Sequence, residues 1–299
     1  MRVYVGIASY ARPRVLAGCL SSLARCGVDG VVVEADAASR EGEEEYRAVL
    51  EEAGASMTIV GAVRPAYRLG RRGSAAARNM VLEEALGVMG DGDALVLYDD
   101  DYICPGRGAL HPPLARLGRD GVGLVGGRVV NARRRRRDPD FSLNILPGLA
   151  DALTRLTGFV FLDTRHGPRY VERTTPLMAV SRSVIEDGVR YDPGYAGTGY
   201  REESDFQMQV LGKGYRIVYD PSLTAIHLCV DEGGNRAGWG TAERFYWKAR
   251  NHLYYSDRLG AGFAKRVAGL AVITAYALLH GPSALAAVAR GVRDYAGGA

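Results

Sequence analysis

The sequence lacks several features that would place it in a broad class at once. It has only four cysteines, Cys19, Cys26, Cys104 and Cys229, and no two of them form a CxxC pair. Four are too few for a disulfide scaffold in a chain of 299 residues, so we interpret all four as reduced. The N-terminal sequence MRVYVGIASY does not have the layout of a signal peptide, because its apolar run is short and starts at once. These absences predict a cytoplasmic protein.

Positive charge is also scarce for a protein that would bind nucleic acid. The formal net charge is +4, and most of that excess lies in the arginine run at 133–137. The basic residues are not interleaved with aromatic residues along a face, so we expect no nucleic acid partner. A small local excess of this kind suits an anionic ligand or an anionic membrane surface.

Apolar residues are plentiful, and their spacing predicts the fold class of the first half. They make up 47% of the chain, which allows a sizeable core. Short apolar strands alternate with helices that have apolar residues at helical spacing. The predicted strands are 3–8, 30–33, 57–60 and 94–98, and the predicted helices are 14–26, 41–53 and 74–86. This order predicts an α/β fold with a mostly parallel, Rossmann-like sheet and helices on both faces.

The second half is less regular and divides the chain into predicted units. Its expected strands are 122–130, 177–180, 215–219 and 223–228, with a helix at 202–211 and helices from Ala242 to the end. The polar segment 133–147 is predicted to be mobile. We therefore expect one large domain at 1–240, which divides near residue 130 into a regular and a less regular half, and C-terminal helices at 241–299.

Three consecutive carboxylates follow the predicted strand 94–98. Asp99, Asp100 and Asp101 would repel one another at close range unless a cation were present. Mg²⁺ and Mn²⁺ prefer carboxylate oxygens and share their coordination shell with substrate phosphates. Asp99 and Asp101 can point the same way as a D-x-D clamp, which leaves Asp100 for another contact. The alternative is a solvated acidic turn.

Two further polar groups follow predicted strands of the same sheet. The segment 9–12 follows the first strand, and Glu34 and Asp36 follow the second. Ligands of such sheets bind at the carboxyl ends of the strands. The three groups therefore predict one site at that edge.

A second acidic cluster consists of Glu202, Glu203 and Asp205. Gly197 and Gly199 come just before it and predict a flexible loop that can approach a ligand. A carboxylate in this place could act as general base for an acceptor hydroxyl. Carboxylates also stabilise a helix N-terminus through the macrodipole, and that structural interpretation stays open.

His227 ends an apolar strand in the sequence LTAIHL. A single histidine in this setting is more often a hydrogen-bonded core residue than a ligand. A neutral imidazole can also coordinate a metal, so both interpretations stay open.

Six segments, taken in order, resemble the inverting family 2 glycosyltransferases, which have the GT-A fold. The resemblance runs from about residue 3 to residue 257. It rests on VYVGIASYARPRVLAGCLSSL, VVVEADAAS, GSAAARNMVLEEA, LVLYDDDYICP, GYREESDFQMQVLGKGYRIVYDPSLTAIHL and FYWKARNHLYY. Each segment is weak evidence alone, but the six together are specific for the fold.

The resemblance implies roles for these residues. Asp99 and Asp101 would hold Mn²⁺ or Mg²⁺ and the diphosphate, with Asp100 beside the donor and His227 as the remaining protein ligand. Glu203 would occupy the catalytic-base position, with Glu202 and Asp205 as its neighbours. The nucleoside would lie among Ala8, Ser9, Tyr10, Arg12, Glu34 and Asp36, and the diphosphate near Gly73 and Arg78.

Two positions depart from the family pattern. The family usually has Asp where this chain has Glu203, so Glu202 or Asp205 could be the base instead. The second strand has Glu34-Ala35-Asp36 where adjacent acidic residues are common. This departure leaves the contact with the nucleotide base open.

The activity implied is metal-dependent, inverting transfer of a hexose from a UDP, GDP or dTDP sugar to a glycan or a polyprenyl-linked acceptor. One alternative is a nucleotidyltransferase on a similar sheet, although the first loop, SYARPR, lacks the glycines usual in that class. The other alternative is a non-catalytic module that binds a nucleotide or a sugar.

The C-terminal apolar run at 267–279 is shorter than the about 20 residues of a spanning helix. One interpretation is a pair of helices that pack on the core or on a second subunit of a homodimer. The other is an interfacial anchor that brings the protein to the cytoplasmic face of the membrane.

Overall fold

The computed structural model describes residues 1–132, 147–160, 165–230, 232–234 and 238–298. The arginine run at 133–137 and nearly all of the segment predicted to be mobile lie outside these residues. The first half contains β1 (Val3–Tyr10), α1 (Pro13–Cys26), β2 (Gly30–Ala37), α2 (Arg40–Gly54), β3 (Thr58–Pro65), α3 (Ala66–Leu69), α4 (Ser74–Val88) and β4 (Ala94–Asp99).

Local sequence signals explain the ends of these helices. Pro13 occupies the first turn of α1, where its missing N–H costs nothing, and Gly27 ends the helix with a left-handed φ of 76°. The Ser39 side chain caps α2 by accepting a hydrogen bond from the backbone N–H of Gly42. All seven elements predicted in this half are present. The strands are longer than expected at their carboxyl ends, which is the edge that carries the polar residues.

The second half contains β5 (Tyr102–Ile103), β6 (Val122–Asn131), α5 (Pro147–Thr157), β7 (Arg169–Val171), β8 (Met178–Ser181), α6 (Arg182–Glu186), α7 (Glu202–Gly212) and β9 (Arg216–His227). Three helices then follow, α8 (Thr241–Arg258), α9 (Phe263–Leu278) and α10 (Pro282–Ala296). Among the described residues, no helix is both long and apolar enough to cross a bilayer.

One sheet joins the two halves in the strand order β3-β2-β1-β4-β8-β6-β9-β5, with β7 paired to β9. The strands β3, β2, β1 and β4 are parallel, as predicted, and β6 is parallel to β9. The strand β8 is antiparallel to both β4 and β6. Apolar residues of α1 and α2 cover one face of the sheet, and those of α4, α6 and α7 cover the other.

The prediction of two strands at 215–219 and 223–228 is wrong. A single strand, β9, runs through Asp220 and Pro221. The proline is tolerated because the pairing of β9 with β6 shifts register between Gly126 and Arg128, so no ladder hydrogen bond is required there.

The prediction that all four cysteines are reduced is also wrong. Cys26 and Cys104 form a disulfide, and their Cα atoms are 6.4 Å apart. Cys26 ends α1 and Cys104 directly follows β5, so the pairing of distant strands brings the two residues together. Sequence spacing alone could not reveal this pair, because 78 positions separate them.

Candidate active site

A cleft of about 890 Å³ opens at the carboxyl ends of β1, β2 and β4. Thirteen of the fifteen residues singled out in the sequence line it, all except Glu34 and Asp205. They are Ala8, Ser9, Tyr10, Arg12, Asp36, Gly73, Arg78, Asp99, Asp100, Asp101, Glu202, Glu203 and His227. The sheet register explains part of this convergence, since Ala8 of β1 is paired with both Glu34 of β2 and Asp99 of β4.

The three aspartates have different partners. Asp100 is buried, and it accepts hydrogen bonds from Ser9 Oγ at 2.6 Å and from Arg12 Nε at 2.7 Å. Burial raises the pKa of Asp100 to about 6, although the Arg12 cation opposes the shift. Arg12 Nη1 also lies 3.5 Å from Asp101 Oδ2, so this arginine contacts both Asp100 and Asp101, whereas Asp99 contacts Arg78. The separate role expected of Asp100 stays a prediction.

Asp101 and His227 lie side by side at the start of β5 and the end of β9. The antiparallel pairing of Tyr102 with His227 sets this arrangement, and Asp101 Oδ2 lies 3.2 Å from His227 Nε2. On the other side of the ring, His227 Nδ1 lies 3.0 Å from Asn131 Oδ1. When Nδ1–H donates to Asn131, the lone pair of Nε2 faces the Asp101 carboxylate.

This donor pair fits a divalent cation. A carboxylate oxygen and an imidazole lone pair that face each other across 3.2 Å can share one ion, and an acceptor behind the ring holds it in the required tautomer. The third predicted ligand, Asp99, instead accepts a hydrogen bond from Arg78 Nη2 at 2.9 Å. In the part of the chain that the structure describes, no group of three or more His, Cys, Asp and Glu side chains forms a complete metal site.

Arg78 contacts three of the acidic side chains in the cleft. It lies on α4, and its Nη1 donates to Glu202 Oε1 and to Glu203 Oε1, each at 2.7 Å, while its Nη2 binds Asp99. Burial acts to lower the pKa of Arg78, but the carboxylates of Glu203 and Glu202 outweigh it and raise that pKa well above the usual value. One cation therefore links the end of β4 to the start of α7.

Glu202 and Glu203 differ in exposure. The Glu202 side chain is 2% exposed, and Ser74 Oγ lies 2.8 and 2.9 Å from its two carboxylate oxygens. Burial raises the pKa of Glu202 despite the opposing Arg78 cation, and the neighbouring Glu203 carboxylate adds to this shift. The Glu203 side chain is 24% exposed and faces the cleft.

Asp205 lies outside the cleft. It is buried, and it pairs with Arg258 Nε at 3.0 Å and accepts a hydrogen bond from Gln209 Nε2 at 2.7 Å. Arg258 belongs to α8, so this ion pair ties α7 to the C-terminal helices. The third candidate base of the acidic cluster is thus a structural contact here.

The acidic end of β2 is neutralised by an arginine that the sequence motifs did not single out. Arg72 Nη1 lies 2.8 Å from Glu34 Oε2, and its Nε donates to Asp36 Oδ1 at 2.9 Å. Glu34 is buried beneath the cleft, and burial raises its pKa although Arg72 opposes the shift. Of the two acidic residues, only Asp36 is in a position to touch a ligand.

Sequence reasoning missed other cleft residues, which are Arg71, Ser74, Ala77, Thr198, Val230, Gly233 and Gly234. Arg71 lies over the Tyr10 ring, with its guanidinium carbon 4.3 Å from the ring centroid. Adjacent arginines just before the glycine that opens a helix were a usable signal for Arg71 and Arg72. No local signal marks Thr198 or Val230.

Comparisons with known proteins support the fold. Neither the protein-family models nor the curated proteins include a match to this chain. Among solved structures, S. aureus TarS 1-349 in complex with UDP-GlcNAc has a TM-score of 0.56 at 12% identity, covering 100% of this chain and 92% of that chain. GalNAc-T7 with UDP, GalNAc and Mn²⁺ also has a TM-score of 0.56, at 15% identity, covering 86% of this chain and 48% of that chain.

These structures belong to TarS, a family 2 glycosyltransferase, and to GalNAc-T7, a protein with the GT-A fold. Identities this low establish the fold alone. The chain therefore has the GT-A fold that its sequence motifs predict.

Proposed function

We propose that this protein is an inverting glycosyltransferase that takes a sugar from a nucleoside diphosphate donor. The observation that carries the proposal is the gathering of Asp99, Asp101, His227 and Glu203 in one cleft at the carboxyl edge of a GT-A sheet. The first three residues suit a metal-bound diphosphate, and the fourth suits a proton acceptor. Sugar transfer needs both functions within reach of one anomeric carbon.

Positively charged groups in the lining of the cleft support a diphosphate ligand. Arg12, Arg71 and Arg78 line it, as does Gly73, which precedes the first turn of α4. Guanidinium groups and the N–H groups of a helix N-terminus both bind phosphate oxygens. On donor binding, we expect Arg78 to exchange part of its contact with Asp99 for a phosphate oxygen. Asp36, which also lines the cleft, is the acidic residue of β2 that we expect to contact the nucleoside.

Asp101 and His227 are the residues that would hold a divalent ion, with Asp99 as a further carboxylate once Arg78 has turned to the donor. Such an ion would neutralise charge on the diphosphate leaving group. A mixed carboxylate–imidazole set suits Mn²⁺ better than Mg²⁺, which prefers oxygen ligands and retains its waters. Mn²⁺ is also the ion bound in the GalNAc-T7 structure.

We assign the role of general base to Glu203. Its carboxylate faces the cleft, whereas Glu202 is buried under Ser74 and Asp205 is bound to Arg258. Glu203 takes the proton of the acceptor hydroxyl as that oxygen attacks the anomeric carbon from the face opposite the diphosphate. The bond to the diphosphate breaks with its electron pair on the leaving oxygen, and the configuration inverts.

UDP is the nucleotide we favour among UDP, GDP and dTDP. The similar structures contain UDP-GlcNAc in TarS and UDP with GalNAc in GalNAc-T7. Both sugars are hexose derivatives, which agrees with the hexosyltransferase activity expected from the motifs. Thr198 and Val230 line the same cleft as Glu203, and they offer a polar and an apolar group suited to a glycan hydroxyl and a ring face.

The test is calorimetric titration of UDP, GDP and dTDP, with and without Mn²⁺, into the wild type, Asp101→Asn and a control. Asp91→Asn is a matched control, because its side chain is fully exposed in a turn outside the cleft. We expect one nucleotide to bind in an Mn²⁺-dependent manner, and Asp101→Asn to lose that dependence while Asp91→Asn keeps it. If none of the three nucleotides binds in an Mn²⁺-dependent manner, the proposal is wrong and a non-catalytic module is favoured.

A further inference from the structure

The segment FYWKARNHLYY is a sequence motif that the proposed chemistry does not use. It forms residues 245–255 of α8, and none of these residues lines the cleft in the part of the chain that the structure describes. Trp247, Asn251 and Tyr254 lie at intervals of four and three residues, which places them on one side of the helix. That side of α8 contacts the loop at 192–200, which leads directly into α7.

Two of these side chains donate hydrogen bonds to the loop at 192–200. Tyr254 Oη donates to Asp192 Oδ2 at 2.9 Å, and Asn251 Nδ2 donates to the carbonyl oxygen of Ala196 at 2.9 Å. Because Asn251 is fully buried, solvent does not compete for its bond to the loop. This hydrogen bond therefore holds the backbone at Ala196 in place.

The third side chain, Trp247, packs against the backbone of Gly197. A Cβ atom on Gly197 would lie 2.2 Å from Cδ2 and 2.3 Å from Cε2 of the indole ring, so only glycine fits between the ring and the loop. Gly197 also has a left-handed φ of 66°, which glycine adopts without strain. The indole ring thus limits how closely Gly197, and with it Thr198 of the cleft lining, approaches α8.

A chain of hydrogen bonds leads from Asn251 to the start of α7. The Ala196 carbonyl oxygen, which accepts from Asn251, also accepts from the backbone N–H of Gly199 at 3.4 Å. The Gly199 carbonyl oxygen in turn accepts from the backbone N–H of Glu202 at 3.0 Å. Glu202 is the first residue of α7, and the proposed base, Glu203, is the second. The position of Ala196 is therefore transmitted to Glu203.

We propose that Asn251 and Trp247 are positioning residues, which act through the loop to set where Thr198 and Glu203 lie in the cleft. The inference rests on the proposed function, in which Glu203 is the general base. A base must lie within about 2.6 to 3.2 Å of the oxygen whose proton it takes, and a displacement of about 1 Å can lower the rate about 100-fold. The residues assigned to the metal and the diphosphate lie on other elements, so donor binding does not depend on this contact.

The experiment measures the release of UDP from UDP-GlcNAc, with water as the acceptor and Mn²⁺ present, together with the calorimetric Kd of UDP. Asn251→Asp keeps the volume of the side chain and the contact of Oδ1 with Arg250, but it removes the donor to Ala196. Trp247→Leu removes the indole ring. We expect both variants to lower the rate of UDP release about 10- to 100-fold, with the Kd of UDP within about threefold of the wild type. Trp247→Phe keeps an aromatic ring beside Gly197 and should restore the rate to within about threefold of the wild type.

A matched control and a second measurement separate positioning from a general loss of stability. Asp93→Leu removes a buried carboxylate that binds the N–H groups of Arg2 and Gly90 at the amino end of β4, the edge of the sheet opposite the cleft. This variant should be less stable in urea and release UDP at the wild-type rate. Amide hydrogen exchange at 196–203, taken relative to that of β1, should rise in Asn251→Asp and stay unchanged in Asp93→Leu.

Unchanged UDP release by Asn251→Asp and Trp247→Leu, from a wild type that turns over, would overturn the inference and leave the proposed function standing. So would a loss of rate no larger than that of Asp93→Leu, or exchange at 196–203 that is the same in Asn251→Asp and the wild type. A wild type without Mn²⁺-dependent binding of UDP would instead overturn the proposed function, and the inference with it.

Discussion

Two regions of the molecule bury arginine side chains, and they do so in opposite ways. In the cleft, Arg12 and Arg78 bind carboxylates, and Arg78 alone binds three. The second region, which we name the helical joint, comprises Phe159, Arg173, Arg201, His252 and Tyr255. Its two arginines bind backbone carbonyl oxygens, and no ion pair joins them to a carboxylate of the described chain.

The joint compensates for its buried cations with dipoles and aromatic faces. The Arg201 guanidinium carbon lies 4.6 Å from the Phe159 ring centroid and 5.4 Å from that of Tyr255. Arg201 also has a left-handed φ of 81°, which costs a non-glycine residue about 1 to 2 kcal/mol. Its side-chain contacts must outweigh that cost for the conformation to persist.

The difference teaches which arginines are available to a ligand. Five carboxylates surround Arg12 and Arg78, so the cleft holds excess negative charge that a metal ion would neutralise, and its arginines can exchange partners. The arginines of the joint have neutral partners that belong to the fold. We therefore expect cleft substitutions to alter binding and catalysis, and joint substitutions to alter stability.

The largest expected effect is that of Glu203→Gln on catalysis. Without a proton acceptor at the cleft, kcat should fall by about 10²- to 10⁴-fold, while the nucleotide Kd stays within about threefold. Steady-state kinetics with a UDP sugar, together with calorimetric titration, measures both quantities.

Two controls define this result. Glu52→Gln removes the same charge from the exposed surface of α2 and should leave kcat unchanged. Asp205→Asn breaks the ion pair with Arg258 and should lower the free energy of unfolding more than it lowers kcat. A loss in kcat that is larger for Asp205→Asn than for Glu203→Gln would transfer the role of base to Asp205.

Effects of intermediate size, on stability and on nucleotide affinity, are expected from two separate single substitutions, Arg201→Met and Arg78→Met. Arg201→Met leaves two buried carbonyl oxygens without donors, which should lower the free energy of unfolding by about 2 to 4 kcal/mol with the nucleotide Kd unchanged. Arg78→Met should weaken nucleotide binding about tenfold or more, because it removes a cation that is placed to bind a donor phosphate. Urea unfolding and calorimetry on both variants test this contrast. Equal losses of nucleotide affinity in the two would erase the distinction between the regions.

The smallest expected effect is a pH dependence of stability that arises from His252. Burial, followed by the Arg201 cation, lowers the pKa of His252 to about 3. The unfolded chain takes up this proton near pH 6.5 and the folded chain only near pH 3. The contribution of His252 to the free energy of unfolding is therefore fully present above pH 6.5, and it declines as the pH falls toward 3.

The free energy of unfolding should be about 2 kcal/mol lower at pH 5 than at pH 8 because of His252. His252→Gln keeps an acceptor for Arg201 and a donor for the Arg266 carbonyl but does not titrate. The difference in urea stability between wild type and variant should therefore shrink or reverse in sign between pH 8 and pH 5. A difference that is constant over this range would show that His252 is not protonated on unfolding.

The first half of the chain was largely predictable because its signals are local. The β1, β2 and β4 segments are short apolar runs bounded by turns, and parallel packing places their carboxyl ends at one edge. The positions of Ser9, Asp36 and Asp99 in the cleft follow from that geometry alone. The predicted convergence of three strand ends is thus a consequence of topology.

The contacts of the second half were less predictable because they are long-range. Nothing near Arg78 in the sequence indicates that it will bind Glu202 and Glu203, which are more than a hundred positions away. Asn131, which lies behind His227, depends on the pairing of β6 with β9. The disulfide and the uninterrupted β9 were mispredicted for the same reason.

The sequence by itself determined the alternation of strands and helices, the acidic run after β4 and the acidic start of α7, because each depends on periodicity and on neighbouring residues. Only the tertiary structure decided that Glu203 is exposed to the cleft while Glu202 is buried in its lining and Asp205 lies outside it, and that Arg78 bridges the two acidic clusters. Those outcomes depend on which distant side chains surround each group, and burial and electrostatic pairing act through space rather than along the chain.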